Sequence, residues 1–296
     1  LTLTQLELSF LSQLKTILSP DQAAAIMTVL KPVETMGGPS ITQVPGAGPT
    51  RLDALGALVS AASAAQGKAK HVYVLKFFGD VTASQVAQLR QEVTAVLGNA
   101  DAEGRGDEVV LVLNTGGGTV TGYGLAAAQL TRLKQSGLKL TICVEQVAAS
   151  GGYLMACVAD RIVAAPFAVL GSIGVITEIP NVYERLKKEG VQFSTVTAGK
   201  YKRTLTPTKQ LDEADLNKTK ADIEEVLSLF KNFVAKNRPQ VDIDAIATGE
   251  TWLGPDALSR NMVDELSTVD DVLLGHARAG AEVLVRVRVT LTLTLT

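Results

Sequence analysis

The sequence predicts an α/β fold in which a mainly parallel β-sheet is covered by helices. Two observations carry this reading. Short apolar runs of the fully buried type, clearest at 109–113, alternate with segments of helical spacing. Glycine-containing turns separate several of them, as at Gly79 and 116–118. Alternating strands and helices join parallel neighbours by crossover connections, so the sheet is buried between helices. A chain of 296 residues, 46% hydrophobic, has enough apolar side chain for a sizeable core.

The elements follow in order. Residues 6–30 have helical spacing, interrupted by a helix-start signal at Ser19, Pro20 and Asp21. Residues 31–51, rich in Pro, Gly, Ser and Thr, read as a linker, and the Ala-rich stretch 53–66 reads as a helix. A strand is expected at 71–78, a helix at 83–97, the buried strand at 109–113, and a helix at about 121–134. A strand at 138–144 leads into a helix from about Ser150. Short strands are expected at 161–164 and 175–176, on either side of Gly171 and Gly174. A helix at 181–189, a strand at 191–197 and a long amphipathic helix at 212–236 come next. Residues 282–289 alternate as a half-buried strand does, then run into a Leu-Thr repeat that also opens the chain and carries no functional weight.

Composition narrows the chemistry. The net charge of −2 disfavours binding nucleic acid through a basic face. Two cysteines, Cys143 and Cys157, cannot build a disulfide framework and read as buried thiols. With two histidines, His71 and His276, a His-rich metal site is not expected, and a Ser-His-Asp triad would need one of them. The best uncharged candidate for a membrane span, 162–177, contains Pro166, Gly171 and Gly174 and is too short to be one. The chain begins with Leu1, so a processed or truncated protein is expected, with a targeting segment or anchor lost.

Three segments carry candidate chemistry. At 147–153, small residues surround Ser150 where a strand gives way to a helix. A serine there sits among unpaired backbone N–H groups, and the N–H of Gly151 can face a developing oxyanion. The competing reading is a plain Ser N-cap. At 114–118, three glycines after a buried strand expose N–H groups to an anion. Gly122, Gly124 and Ala127 fit the spacing of a dinucleotide fingerprint, with Glu145 downstream, but they come too late after the strand end. At 198–207 a loop holds Lys200, Lys202 and Arg203; a desolvated lysine can replace histidine as a general base.

Gly117, Gly118 and Val120, the run 147–153, the run 171–175 and the run 198–206 together resemble the signal peptide peptidase A family (peptidase family S49). Residues 122–127, 155–160 and 247–252 point to its SohB-type branch. The resemblance spans about 71–285. It implies a ClpP/crotonase-like fold and a serine endopeptidase with a Ser–Lys dyad. By matching position, Ser150 is the nucleophile, Lys202 the general base and Ser172 the residue that orients the lysine. The backbone N–H groups of Gly117 and Gly151 form the oxyanion hole. Lys200 stands two residues too early and is assigned to the surface or the substrate rim. One departure is Gly116, where the family usually has proline; a looser oxyanion turn is expected. The domains implied are a helical arm and linker at 1–66, a Ser–Lys peptidase domain at 67–281, and a strand with a low-complexity tail at 282–296. The resemblance further implies peptide or protein substrates of apolar, membrane-derived character, a homo-oligomer, and no metal or cofactor. It also implies membrane association, at a bacterial inner membrane or a plastid thylakoid, through a missing or N-terminal segment. A crotonase-type acyl-CoA enzyme and a non-catalytic scaffold subunit are the rival readings.

Overall fold

The structure is a computed structural model and describes residues 69–285. The expected helices at 6–30 and 53–66, the linker between them and the Leu-Thr tail lie outside the described residues. The central strands are β1 (His71–Gly79), β2 (Glu108–Thr115) and β3 (Lys139–Ala149), all parallel. Around them lie β4 (Arg161–Ala164), β5 (Val169–Gly171), β6 (Thr251–Leu253), β7 (Glu265–Leu266) and β8 (Glu282–Leu284). The sheet runs β6-β5-β3-β2-β1-β8, with β4 paired to β3 and β7; among the described residues only the β5–β6 pairing is antiparallel. The helices are α1 (Val86–Asn99), α2 (Val120–Gln135), α3 (Gly151–Ala156), α4 (Tyr183–Lys188), α5 (Glu213–Asn237), α6 (Ile243–Ile246), α7 (Gly254–Ser259) and α8 (Val269–Arg278). This is the α/β fold with a mainly parallel, helix-covered sheet that the sequence predicts.

The apolar run at 109–113 is continuous because both faces of β2 are covered. Val109, Leu111 and Leu113 join Leu89 and Val93 of α1 and Leu130 and Leu133 of α2 on one face. Val110 and Val112 join Val72, Val74, Cys143 and Val163 against Val269 and Val272 of α8 on the other. Alternate side chains of a strand point to opposite faces, so a central strand between two helical layers must be apolar at every position. Both cysteines are buried free thiols, and burial pushes Cys143 up to about 12.

Strand β3 changes neighbour along its length: Thr141–Val144 pair with β4, whereas Val147–Ala149 pair with β5. On its other side the register with β2 moves from Leu113↔Val144 to Thr115↔Ala148, so two residues of β2 span four of β3. The extra residues, Glu145 and Gln146, are exposed. Such an irregularity bends the strand, and it does so just before Ser150.

Several boundaries differ from expectation for identifiable reasons. Helix α1 starts at Val86 rather than 83, because Ala83 has φ 55° and the Asp80 carboxylate gathers the N–H groups of Thr82 and Ser84 into a turn. Residues 175–176 are not a strand; the strand beside β3 is β5, before the glycine turn. Residues 191–197 are exposed and form no strand, since β-propensity needs a neighbouring strand to express it. Helix α5 begins where expected, capped by Asp212, whose carboxylate accepts from Ala214 N–H, with Glu213 and Asp215 favourably placed in its first turn. Its far end is fixed by Arg238, 2% exposed, which donates to both carboxylate oxygens of Asp264 at 2.9 Å. Asp264 also accepts from Ile162 N–H of β4. Among the described residues no helix is long and apolar enough to cross a membrane.

Candidate active site

The carboxyl ends of β2, β3 and β5 converge on Ser150. The residue lies between β3 and α3 with φ 52° and ψ −119°, a strained region for a residue with a Cβ. Its two backbone groups explain the conformation. The N–H still belongs to the sheet and donates to Gly171 O at 2.7 Å, while the C=O already belongs to the helix and accepts from Leu154 N–H at 3.0 Å. The chain therefore turns from strand to helix within one residue. The Ser150 side chain does not cap α3, so the N-cap reading does not hold.

Ser172 comes alongside by the same sheet logic. Ala149 is in register with Gly171, which places Ser150 and Ser172 on adjacent strand ends. Ser172 also has a positive φ, 50°, and its N–H donates to Glu250 O at 2.6 Å. The Trp252 ring closes against Gly171, where an added Cβ would fall 2.8 Å from it. Ser150 and Ser172 are thus two of the four non-glycine residues with positive φ among the described residues.

The triple-glycine turn lies against the serine turn. A Cβ on Gly117 would fall 2.6 Å from both Ala149 O and Gly151 N and 2.8 Å from Ser150 Cβ, at a backbone φ of 86°. Only glycine permits that approach. Gly117 and Gly151, the two expected oxyanion donors, are therefore brought together at Ser150. The Gly117 N–H donates to Thr115 Oγ1 at 3.2 Å.

Gly116 is exposed, its φ lies outside the left-handed region, and no atom lies within 4 Å of an added Cβ. Its looseness is thus a matter of unfolded-state entropy, not fit. Gly116→Ala is expected to stabilise the protein by about 0.4–1 kcal/mol, read as a rise in Tm of about 1–4 °C. A fall in Tm would mean that glycine is required at this turn.

Lys202 comes from a different segment of the chain. It stands exposed on the excursion 174–211, with its backbone N–H donating to Gly199 O at 3.1 Å. Among the described residues no hydrogen bond joins it to Ser150 and no carboxylate pairs with it. Lys200 lies over the Tyr201 ring, 5.0 Å from its centroid. The excursion encloses a pocket of about 690 Å³ lined by Tyr183, Phe193, Arg203 and neighbours. It also leaves Ile176, Phe193, Val196 and Tyr201 exposed.

Neither histidine can reach the site. His71 opens β1 beside Glu282, and His276 on α8 faces Glu108, the first residue of β2. The site is at the opposite strand ends, roughly 23–26 Å away at about 3.3 Å per residue. The dinucleotide reading also fails, because Gly122 and Gly124 lie inside α2 rather than at a strand end. Sequence reasoning missed Tyr123. This fully buried residue of α2 has its ring against Gly151 and its hydroxyl against Thr115. Its sequence signals are its place in the run 122–127 and an aromatic ring in a helix of small side chains, neither of which assigns it a role.

Residues 132–283 match the model of peptidase family S49, and 57–130 match that of its N-terminal part. The chain is 54% identical over 203 residues to a probable protease SohB of Haemophilus influenzae, covering 69% of this chain and 57% of that one. It is 47% identical over 205 residues to a probable protease SohB of Buchnera aphidicola, covering 69% and 60%. With Protease 4 of Salmonella typhi it shares 30% identity over 210 residues, 66% of this chain and 30% of the other. The matched region thus spans little more than half the length of the SohB relatives.

Proposed function

The chain belongs to peptidase family S49, and we propose that it is a serine endopeptidase acting through Ser150 and Lys202. The observation that carries the proposal is Ser150 itself. It is strained into a positive φ at a strand end, with two buried glycine backbones against it and no histidine within reach.

The neutral Lys202 amine takes the Ser150 Oγ proton as Oγ bonds to the scissile carbonyl carbon. The displaced electron pair moves onto the carbonyl oxygen, which accepts from the N–H groups of Gly117 and Gly151. Collapse of this intermediate breaks the C–N bond, and the Lys202 ammonium protonates the leaving amine. A water molecule loses its proton to Lys202 as it attacks the acyl carbon; collapse of this second intermediate breaks the C–Oγ ester bond, and Lys202 returns the proton to Ser150 Oγ. Ser172 orients the lysine. The excursion at 174–211 carries Lys202. Its exposed Ile176, Phe193, Val196 and Tyr201 favour apolar peptides, or misfolded membrane proteins, as substrates, and a second copy of the chain as neighbour. Membrane association of the whole protein accords with such substrates.

A fluorophosphonate probe tests this reading. It is expected to block cleavage of an unfolded apolar polypeptide and to leave one adduct, mapped by mass spectrometry to Ser150. An adduct elsewhere overturns the assignment. Enoyl-CoA hydration with no adduct would instead indicate the crotonase-type enzyme.

A further inference from the structure

We propose that Tyr123 and Thr115 form a positioning pair that sets both oxyanion donors of this site. The inference rests on Ser150 as nucleophile and on Gly117 and Gly151 as donors, and adds the groups that hold those donors in place.

The ring of Tyr123 acts on Gly151. Tyr123 is 0% exposed, and a Cβ on Gly151 would fall 2.4 Å from its Cγ. The Cα of Gly151 therefore rests directly on the ring, which fixes how deeply the Ser150 turn settles onto α2. Phe77 meets the same ring edge to face, with centroids 6.2 Å apart, and holds it from the side of β1.

The hydroxyl of Tyr123 acts on Gly117 through Thr115. Thr115 Oγ1 contacts Tyr123 Oη, lies 3.0 Å from Gly79 O, and accepts the Gly117 N–H at 3.2 Å. Tyr123 Oη also lies 2.7 Å from Asp80 O. Two hydroxyl protons serve this cluster. If both went to the carbonyls, two oxygen lone pairs would face each other, so one hydroxyl must donate to the other. In either arrangement Thr115 Oγ1 keeps a lone pair for Gly117 N–H. The network thus turns that peptide so that its buried N–H is satisfied in the resting enzyme.

The consequence is kinetic. At 3.2 Å to a neutral hydroxyl, the Gly117 N–H is held loosely. An oxyanion offers a stronger, charge-assisted bond, so the donor exchanges partner as the tetrahedral intermediate forms. Thr115 and Tyr123 therefore act on the transition state and little on ground-state binding. Tyr123 does this as a neutral hydroxyl, because burial raises its pKa above the ordinary tyrosine value.

The test compares Tyr123→Phe, Thr115→Val and Thr115→Ser, each assayed well below its own Tm and normalised to sites titrated with a fluorophosphonate. Removing one oxyanion donor costs about 10²–10³ in kcat, so misorienting one is expected to cost about 10–100-fold. Tyr123→Phe and Thr115→Val should lower kcat by that factor with KM within about twofold, and should slow phosphonylation in parallel. Thr115→Ser, which keeps the hydroxyl, should restore kcat to within about threefold. Unchanged kcat per titrated site, or an effect confined to KM, overturns the inference. If Tyr123→Phe does not fold, the Val and Ser variants of Thr115 decide alone. Ser150→Ala separates the two levels. Turnover surviving in Ser150→Ala removes the nucleophile on which the pair depends. An inactive Ser150→Ala beside fully active Phe and Val variants removes only the positioning pair.

Discussion

Ser150→Ala is expected to abolish peptide cleavage, with kcat falling on the order of 10⁴- to 10⁶-fold, as loss of a catalytic serine does elsewhere. The fold should hardly change. The side chain does not cap α3, and the backbone bonds to Gly171 O and from Leu154 N–H are independent of it. Alanine meets the same positive-φ strain as serine, so the change in stability should stay within about 1 kcal/mol. Ser150→Gly sharpens the point. Glycine adopts φ 52° without a Cβ clash, so this variant should be just as inactive and at least as stable as Ser150→Ala. Thermal unfolding and turnover measured on both variants check the pair. Residual cleavage within tenfold of the parent chain would mean that Ser150 is strained for another reason.

Lys202→Met is expected to lower kcat by about 10²–10⁴, the contribution of a positioned general base. Methionine keeps much of the side-chain length and removes the amine, so the effect isolates proton transfer. KM should change little, because the lysine acts on the serine proton rather than on substrate binding. Lys139→Met, at the opposite end of β3, should retain full turnover. Because Lys202 stands exposed on the excursion 174–211, its loss should leave Tm within about 1 °C. If Lys202→Met cleaves at the parent rate, the base lies elsewhere, and Ser150 would have to be activated by a group that the sequence order does not indicate.

Most of the central strands were legible in the chain. At 71–78 and 109–113 the pattern is imposed by burial, and burial is written residue by residue. The strands expected at 175–176 and 191–197 were not formed. An apolar, β-branched run is only half of a strand, and the other half is a neighbouring edge that local sequence does not reveal. The start of α1 was displaced for a different reason. A single carboxylate, Asp80, competes with the helix for the N–H groups of Thr82 and Ser84.

The site divides in the same way. Ser150, Gly151 and the triple glycine could be proposed from small residues at a strand-to-helix junction, because close backbone approach forbids larger side chains. The scarcity of histidine points to a lysine of the basic loop, but choosing Lys202 within it, and Ser172, needs the family resemblance. Tyr123 and the role of Thr115 had no local signature, since a buried aromatic hydroxyl declares itself only through the partners that folding brings to it.

The sequence by itself determined the layered α/β architecture, the candidate nucleophile and the scarcity of histidine. Tertiary structure alone decided that both histidines lie at the far end of the sheet, that the glycine turn touches the serine turn, and that Ser150 and Ser172 stand side by side. The physical reason is range. Periodicity and turn chemistry act over a few residues, whereas the register shift of β3 and its change of partner from β4 to β5 depend on strands far apart in the chain.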